Sequence, residues 1–253
     1  MTNITPQTLK QTQNIILDMF DEVERICKKH NLTYWIDGGA LLGAVKYKGF
    51  VRWDDDLDIA MPIEDYEKFC LIASQELRDG MFFQHRKTDP LFPYDCVKIR
   101  DNRGIMIENH QVGKEVLYNQ GIFLDIYPVL TIKRSFFYRI LHIILFLFIK
   151  LLSYKYLNIK SIRDILVSWS EKFHRGWQKN SKVVRSGNHP TIRFYVDEKS
   201  IFPLSSTLFE NREVPIPNDI DHYLGSLFPK GYKNPLPQKA KRVPHAFDIK
   251  LKD

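Results

Sequence analysis

A dense cluster of aspartates shortly after a Gly-Gly pair constrains this chain more than any other feature of its sequence. Four of five consecutive positions hold an aspartate, namely Asp54, Asp55, Asp56 and Asp58. The apolar end of the stretch DDDLDIAM follows directly. If this stretch is a strand, successive side chains point to opposite faces. One face would then carry Asp54, Asp56 and Asp58, and the other would belong to the core.

Carboxylates at this spacing repel one another, and burying them without compensation costs several kcal/mol. A divalent cation removes the repulsion, and oxygen ligands of this kind suit Mg²⁺ or Mn²⁺. The sequence therefore predicts a Mg²⁺ (or Mn²⁺) site in which Asp56 and Asp58 are ligands. Asp54 is expected either to hold these two ligands in place without contacting the ion or to bind a second metal ion.

The Gly-Gly pair, Gly38 and Gly39, supplies the expected phosphate-binding half of this site. Glycine permits positive φ and lets the backbone approach a ligand closely. A helix that starts near Ala40 would direct unpaired N–H groups toward an anion. A tight turn between a strand and a helix is the simpler interpretation of Gly-Gly alone. The aspartates that follow favour a phosphate clamp beside a metal ion.

Basic residues near these motifs are candidates for contacts with a diphosphate. Lys46 and Arg52 lie between the predicted helix and the aspartates. Further along, alternation in the stretch YDCVKIRD places Lys98 and Arg100 on one strand face. A basic pair that faces a metal site could neutralise phosphate charge in a transition state. A solvated face with salt bridges is the alternative for Lys98 and Arg100, and solvent exposure is the alternative for Arg52.

A second acidic position lies in the stretch GIFLDIYP, where Asp125 is the lone carboxylate of an apolar strand. A charge in such a setting is uncommon without a partner. The partner could be a metal ion shared with Asp56 and Asp58. Alternatively, Asp125 could act as a base near an acceptor hydroxyl.

The hydrophobic pattern predicts the remaining elements. A helix is expected over 7–30, a first strand over 32–36 and a helix after Pro62. Residues 81–110 should form several strands, with a turn at DNRG. We also expect a strand at TIRFYV and a helix over 161–179. A strand, a hairpin and a short helix should follow over 201–225.

The stretch 133–155 is strongly apolar with basic flanks, but its longest uninterrupted apolar run, Ile143–Ile149, is too short to span a bilayer. A helix here could lie in a membrane interface, attracted to anionic lipid. It could equally cover the sheet as a core helix. We favour the interfacial position.

Composition sets wider bounds. The chain has 253 residues and 44% hydrophobic content, enough for one elaborated domain. Its formal charge of +7 suits nucleic acid, anionic lipid or phosphorylated substrates without separating them. The three cysteines are widely spaced, which argues against a disulfide framework or a zinc site and favours a reducing compartment. The N-terminal residues lack the apolar region of a secretory signal, so a cytoplasmic protein is expected.

Taken together, these motifs closely resemble the LicD family, which includes the fukutin-related proteins. The stretch YWIDGGALLGAVKYKGFVRWDDDLDIAMPIEDYEKF carries most of the resemblance, and GIFLDIYP matches the family's second acidic strand. The stretches FENREVPIPNDIDHYL and PLPQKAKRVPH match its C-terminal motifs. The resemblance implies an α+β fold: a nucleotidyltransferase-like mixed β-sheet flanked by helices. Within a single domain, 1–130 would be the core, 131–180 a helical insertion and 181–253 a C-terminal extension.

The resemblance also implies an activity. It points to a Mg²⁺-dependent phosphotransferase that moves phosphocholine or a polyol-phosphate from a CDP-linked donor, such as CDP-choline or CDP-ribitol, and releases CMP. The acceptor would be a hydroxyl of a lipid-linked or cell-surface glycan, such as a teichoic acid, capsule or lipopolysaccharide precursor. Asp125 would be the third carboxylate of the site. Arg242 and His245, at the end of the family pattern, could reach donor phosphate or acceptor.

Two other functions stay open at this stage. A true nucleotidyltransferase would use the same metal ligands and add a nucleotide monophosphate to a small molecule or sugar. A non-catalytic membrane or nucleic-acid binding module would use the basic surface. Without a metal ion, the clustered aspartates would repel phosphate, so the sequence argues against this last class and predicts no nucleic-acid partner. Membrane association through 133–155 would place the protein on the inner face of the cytoplasmic membrane.

Overall fold

The computed structural model describes residues 4–92, 96–132, 140, 144, 183–186, 196–229, 231–235 and 245–252. The helices are α1 (Pro6–His30), α2 (Gly38–Tyr47), α3 (Ile63–Glu76), α4 (Glu198–Ile201) and α5 (Ile220–Leu227). The strands are β1 (Trp35–Asp37), β2 (Asp58–Pro62), β3 (Met81–Gln84), β4 (Val97–Glu108), β5 (Gly121–Ile132), β6 (Val183–Ser186), β7 (Val196–Asp197), β8 (Ser205–Phe209), β9 (Arg212–Ile216) and β10 (Ala246–Leu251).

The predicted first helix is confirmed as α1, and local signals explain both of its ends. Thr5 is the N-cap, and its hydroxyl oxygen accepts a hydrogen bond from the Thr8 amide at 3.0 Å. Asn31 ends the helix in the left-handed conformation. The buried side carries apolar residues at helical spacing, among them Ile16, Phe20, Val23 and Ile26.

A mixed sheet forms the centre of the structure, as predicted for an α+β fold. Its described part has eight strands, with the main order β1-β2-β5-β4-β10. The pair β2 and β5 is parallel, and the other described pairs are antiparallel. Helix α1 packs on β4 and β5, and α3 packs on β2 and β5. The core therefore lies between this sheet and the helices that flank it.

The predicted strand over DDDLDIAM is wrong in its first half, because β2 begins only at Asp58. The preceding residues form a turn and an extended loop. The Asp54 amide donates to the Val51 carbonyl at 2.9 Å, and the Gln13 side chain donates to the Asp54 carbonyl at 2.9 Å. These bonds hold the Asp54 backbone outside the sheet. The first strand is likewise shifted from the predicted 32–36 and spans Trp35–Asp37.

The predicted turn at DNRG is also wrong, since β4 runs through it without a break. The strand changes partner here: its first half pairs with β3 and its second half with β10. Between Asp101 and Ile105 the pairing of β4 with β5 shifts in register, which is a β-bulge. The Asp101 carboxylate accepts hydrogen bonds from the Arg103 amide at 2.9 Å and from its guanidinium, which stabilises this bulge.

The C-terminal part confirms the predicted hairpin and short helix. Strands β8 and β9 form the hairpin, and α5 follows. The basic tail beyond them ends in β10, which joins the sheet beside β4. All three cysteines are free thiols, as predicted.

Some predictions lie outside the described residues. These are the helices over 133–155 and 161–179, most of the strand at TIRFYV, and Arg242. From the segment 133–155 the structure describes Ile140 and Ile144, and both are exposed. Among the residues that are described, no helix combines the length and the apolar character needed to cross a bilayer.

A buried hydrogen-bond chain connects α5 to the first strand. The Trp35 indole N–H donates to the Tyr223 hydroxyl at 3.0 Å, and that hydroxyl donates to Asp37 Oδ1 at 2.9 Å. Trp35 and Tyr223 are fully buried. The chain therefore positions Asp37 at the end of β1, where helix α2 begins.

We predict that Tyr223→Phe lowers the free energy of unfolding by about 1–3 kcal/mol, because a buried donor and a buried acceptor both lose the hydroxyl. Urea denaturation monitored by tryptophan fluorescence measures this. Tyr47→Phe is the matched control, since the Tyr47 side chain is 52% exposed, and it should change the value by less than about 0.5 kcal/mol. Equal effects of the two substitutions would contradict the role of the chain.

Candidate active site

Residues that share one row across the sheet bring three carboxylates and a lysine side by side. In the pairing of adjacent strands, Asp37 of β1 lies opposite Asp58 of β2. Asp58 lies opposite Asp125 of β5, and Asp125 lies opposite Lys98 of β4. Directly paired residues point to the same face of a sheet. Strand register alone therefore assembles this acidic row and ends it with a positive charge.

Three carboxylates of this region could hold a metal ion. Oxygen atoms of Asp56, Asp58 and Asp125 all lie within 4.8 Å of one another. Asp56 reaches the row from the extended loop that precedes β2. The three predicted ligands are thus brought together, although Asp56 and Asp58 do not alternate along one strand. A second group with the same spacing consists of Asp55, Asp56 and His245.

The cluster is electrostatically strained in the absence of a cation. Burial, together with repulsion from Asp56 and Asp55, raises the pKa of Asp54 to about 8. Burial raises the pKa of Asp56 to about 7 against the attraction of His245. Burial and neighbouring carboxylates also raise the pKa of Asp58 well above its ordinary value. Within the described residues, the buried Asp54 Oδ2 accepts no hydrogen bond. This donor set fits a hard divalent cation.

Lys98 neutralises part of this charge from the neighbouring strand. Its ammonium lies 2.7 Å from Asp125 Oδ1 and 2.8 Å from Asp125 Oδ2, and 3.4 Å from the ring centroid of Phe123. The Tyr127 hydroxyl also donates to Asp125 Oδ2 at 3.1 Å. Burial and the Asp125 charge raise the pKa of Tyr127, which keeps this donor protonated. Tyr127 follows Asp125 by two residues, so its position on the same strand face was visible in the sequence.

Arg100 was predicted beside Lys98 as a phosphate contact, and the structure places it in the core. It is 0% exposed. Its guanidinium donates to Gln84 Oε1 and to the Gly121 carbonyl, both at 2.7 Å, and lies 3.7 Å from Glu108. These contacts connect β3, β4 and β5, so Arg100 stabilises the sheet.

The other predicted basic contacts lie outside the cluster. Lys46 belongs to the last turn of α2, at the opposite end from Gly38, and its ammonium donates to the Asn234 carbonyl at 2.6 Å. Arg52 is exposed. The structure therefore does not bring either residue into contact with the carboxylates.

The Gly-Gly pair packs directly against the carboxylates. Gly38 has a φ of +57°, and a Cβ atom there would collide with Asp58 Oδ2. A Cβ atom on Gly39 would lie 2.7 Å from Asp54 Oδ2. Glycine is therefore needed at both positions, because a side chain would push the carboxylates away. Helix α2 starts at Gly38, slightly earlier than the predicted Ala40.

Two further residues contribute to the site. The sequence leaves Asp37 open between a ligand contact and a side chain that stabilises the turn, and in the structure it makes no capping bond. It instead accepts from Tyr223 and faces Asp58 in the sheet. Tyr223 comes from a helix far away in the chain, and no local pattern connects it with the aspartates.

His245 and Asp55 meet at the edge of the cluster. The His245 Nδ1 atom lies 3.3 Å from Asp55 Oδ1 and 3.1 Å from Asp56 Oδ2. Burial lowers the pKa of His245, but the bond to Asp55 and the charge of Asp56 outweigh it and raise that pKa to about 9. The imidazole is therefore a cation at neutral pH. The predicted proximity of His245 to the site agrees with this position.

Comparisons with known proteins point to one family. Residues 31–137 match the family model described as LicD/FKTN/FKRP, nucleotidyltransferase domain. The chain is 35% identical over 72 residues to the lipopolysaccharide cholinephosphotransferase LicD of Haemophilus influenzae, which is 28% of this chain and 27% of that protein.

Two uncharacterized rickettsial proteins are also similar. The Rickettsia typhi protein is 33% identical over 84 residues, which is 33% of this chain and 27% of the relative. The Rickettsia prowazekii protein is 27% identical over 123 residues, which is 49% of this chain and 42% of the relative. The chain thus matches less than half the length of each relative. Residues 31–137, which contain Asp56, Asp58 and Asp125, are thus similar to the nucleotidyltransferase domain of the LicD family.

Proposed function

We propose that this protein is a metal-dependent phosphotransferase. It transfers phosphocholine or a polyol-phosphate from a CDP-linked donor to a hydroxyl of a cell-envelope glycan and releases CMP. One observation carries the proposal: Asp58 and Asp125 lie opposite each other on parallel strands and join Asp56 in a buried group with metal-ligand spacing. The matched family and the name of the Haemophilus influenzae relative support the phosphocholine-type chemistry.

Asp56, Asp58 and Asp125 would hold the cation. Their mutual repulsion and the unbonded Asp54 Oδ2 support a divalent ion such as Mg²⁺ or Mn²⁺ at this site. A cation held by these residues would supply charge neutralisation for the phosphates of the donor. Asp125 then serves as a ligand, the first of its two predicted roles, and Lys98 and Tyr127 hold its carboxylate in place.

The remaining residues position the donor and the acceptor. The first N–H groups of α2, at Gly38 and Gly39, have no partner within the helix and are suited to the phosphate oxygens. The acceptor hydroxyl attacks the phosphorus remote from cytidine. A new P–O bond forms, the bond to CMP breaks, and the hydroxyl proton passes to a carboxylate of the cluster. Phosphoryl transfer needs mainly positioning and charge neutralisation, which this site provides.

We place the reaction at the inner face of the cytoplasmic membrane, where a lipid-linked glycan would present its hydroxyl. The apolar pattern and basic flanks of 133–155 support this location, because such a segment favours an interface that contains anionic lipid. Candidate acceptors are precursors of teichoic acid, capsule or lipopolysaccharide. Nucleic acid is not proposed as a partner, because the buried aspartates would repel its phosphates in the absence of a metal ion and, with a metal ion bound, the site is assigned to the donor diphosphate.

A nucleotidyltransferase that attacks the nucleotide's own phosphorus is the second candidate, and the name of the matched domain favours it. The two reactions differ in their products. Incubation with CDP-choline, CDP-glycerol or CDP-ribitol, Mg²⁺ and an envelope glycan should yield free CMP and a phosphorylated acceptor. A nucleotidylated acceptor would support the alternative.

Replacing a metal ligand should abolish this turnover. We predict that Asp56→Asn lowers the rate of CMP release by more than about 100-fold, beyond the 10–100-fold typical of outer partners of a metal site. Chromatography of the released nucleotide measures the rate. Asp79→Asn, an exposed aspartate outside the cluster, is the matched control and should keep the rate. Unchanged turnover in Asp56→Asn would refute the assigned site.

Metal binding should also appear in the stability of the protein without any substrate. We predict that Mg²⁺ raises the unfolding temperature of the wild type by mass action. Asp58→Asn should remove this response. The substitution should also raise the free energy of unfolding of the metal-free protein by about 1 kcal/mol, because it removes one of several mutually repelling carboxylates. The unfolding temperature should then rise by a few degrees. Differential scanning calorimetry with Mg²⁺ or with a chelator tests both effects. A destabilised metal-free variant would contradict the electrostatic argument.

The Gly-Gly turn offers a test in which backbone strain is matched. Gly38→Ala and Gly113→Ala both place a Cβ atom on a backbone with positive φ, +57° and +73°. Each should therefore lose about 1–2 kcal/mol of stability. The space around Gly113 is open, whereas Gly38 faces Asp58 Oδ2. We predict that only Gly38→Ala weakens Mn²⁺ binding, measured by electron paramagnetic resonance. Equal Mn²⁺ affinities would show that the turn does not shape the site.

A further inference from the structure

Asp55 differs from the other aspartates of the cluster in what it binds. It is 0% exposed, and its carboxylate faces the C-terminal segment. The Ala246 amide donates to Asp55 Oδ2 at 2.5 Å, and the His245 amide lies 3.2 Å from the same oxygen and 3.3 Å from Oδ1. Hydrogen bonds to an ionised acceptor are roughly twice as strong as neutral ones. The Asp55 carboxylate is therefore already bound by the backbone amides of His245 and Ala246.

The carbonyl group of His245 is also held by hydrogen bonds. The His245 carbonyl accepts from the Asn109 amide and from the Asn109 side chain, both at 2.8 Å. Asn109 directly follows β4, and β10 starts at the residue after His245. The backbone of His245 is thus fixed between the acidic loop and the end of β4. Without Asp55, one of these two attachments is lost.

The fixed backbone determines where the imidazole lies. Its Nδ1 atom is 3.1 Å from Asp56 Oδ2, and its ring meets the Phe123 ring edge-on with centroids 6.3 Å apart. Yet 46% of the side chain remains exposed. An imidazole that touches a metal ligand on one side and solvent on the other is placed to contact a phosphate bound at the rim of the site.

We propose that Asp55 is a positioning residue and not a metal ligand: it anchors the C-terminal segment so that His245 lies at the rim of the metal site and contacts the donor phosphate. The part that concerns the phosphate rests on the proposed function. The anchoring itself does not, because it can be measured in the metal-free protein without a substrate.

Hydrogen exchange of the metal-free protein tests the anchor. Asp55→Asn should accelerate exchange of the amides in 245–251 by about tenfold or more, because a buried charge-assisted acceptor is lost. Asp248→Asn, on the same strand β10, is the matched control and should leave these amides unchanged. Asn109→Ala loosens residue 245 from the other side without changing the acidic loop. It should act in the same direction and keeps the test available if Asp55→Asn fails to fold.

Binding of Mn²⁺ alone then separates an anchor from a ligand. Asp55→Asn should bind Mn²⁺ within about threefold of the wild type, whereas Asp58→Asn should lose it. Loss of Mn²⁺ binding in Asp55→Asn, with normal exchange over 245–251, would overturn the proposal and make Asp55 a ligand.

A double-mutant cycle in the CMP-release assay tests the connection to His245. Asp55→Asn and His245→Gln should each raise KM for the CDP-linked donor, and the combined variant should lose no more than the larger single effect. Additive losses would show that Asp55 does not act through His245. If no donor is turned over by the wild type, the proposed function fails, and the exchange and Mn²⁺ measurements still decide the role of Asp55.

Discussion

Repulsion among closely packed carboxylates is the constraint on which the site depends. Asp37, Asp58 and Asp125 stand side by side because three neighbouring strands place them in one row. Asp54 and Asp56 add to this charge from the preceding loop. A sheet tolerates such a row only where compensating cations are close. Lys98 and His245 provide two of them, and the proposed divalent ion would be the third.

The surrounding fold explains how the aspartates are kept in place although they repel. The parallel pairing of β2 with β5 fixes Asp58 against Asp125, and the hydrogen bonds of two strands resist their separation. Gly38 and Gly39 leave room for the carboxylates where α2 begins. These described elements thus hold the carboxylates together, and the proposed reaction uses charge that they have concentrated in advance.

Much of this arrangement was predictable because it is encoded locally. The helical spacing of α1, the Gly-Gly turn and the isolated Asp125 each carry a signal within a few residues. Two local predictions failed for identifiable reasons. Asp54 is held outside the sheet by Gln13, a residue of α1, and DNRG continues as a strand because β4 exchanges one partner strand for another. Both depend on contacts with distant segments.

The sequence by itself determined which residue types form the site, and clustered carboxylates, a glycine turn and the family resemblance together predict metal-assisted phosphoryl transfer. Only the tertiary structure decided which partners each aspartate contacts. Asp55 and Asp56 are adjacent in the chain and indistinguishable in composition, yet one faces the C-terminal backbone and the other faces Asp58 and Asp125. The physical reason is that a carboxylate's role follows from its partners, and those partners are brought together by strand register and by β10 from the far end of the chain.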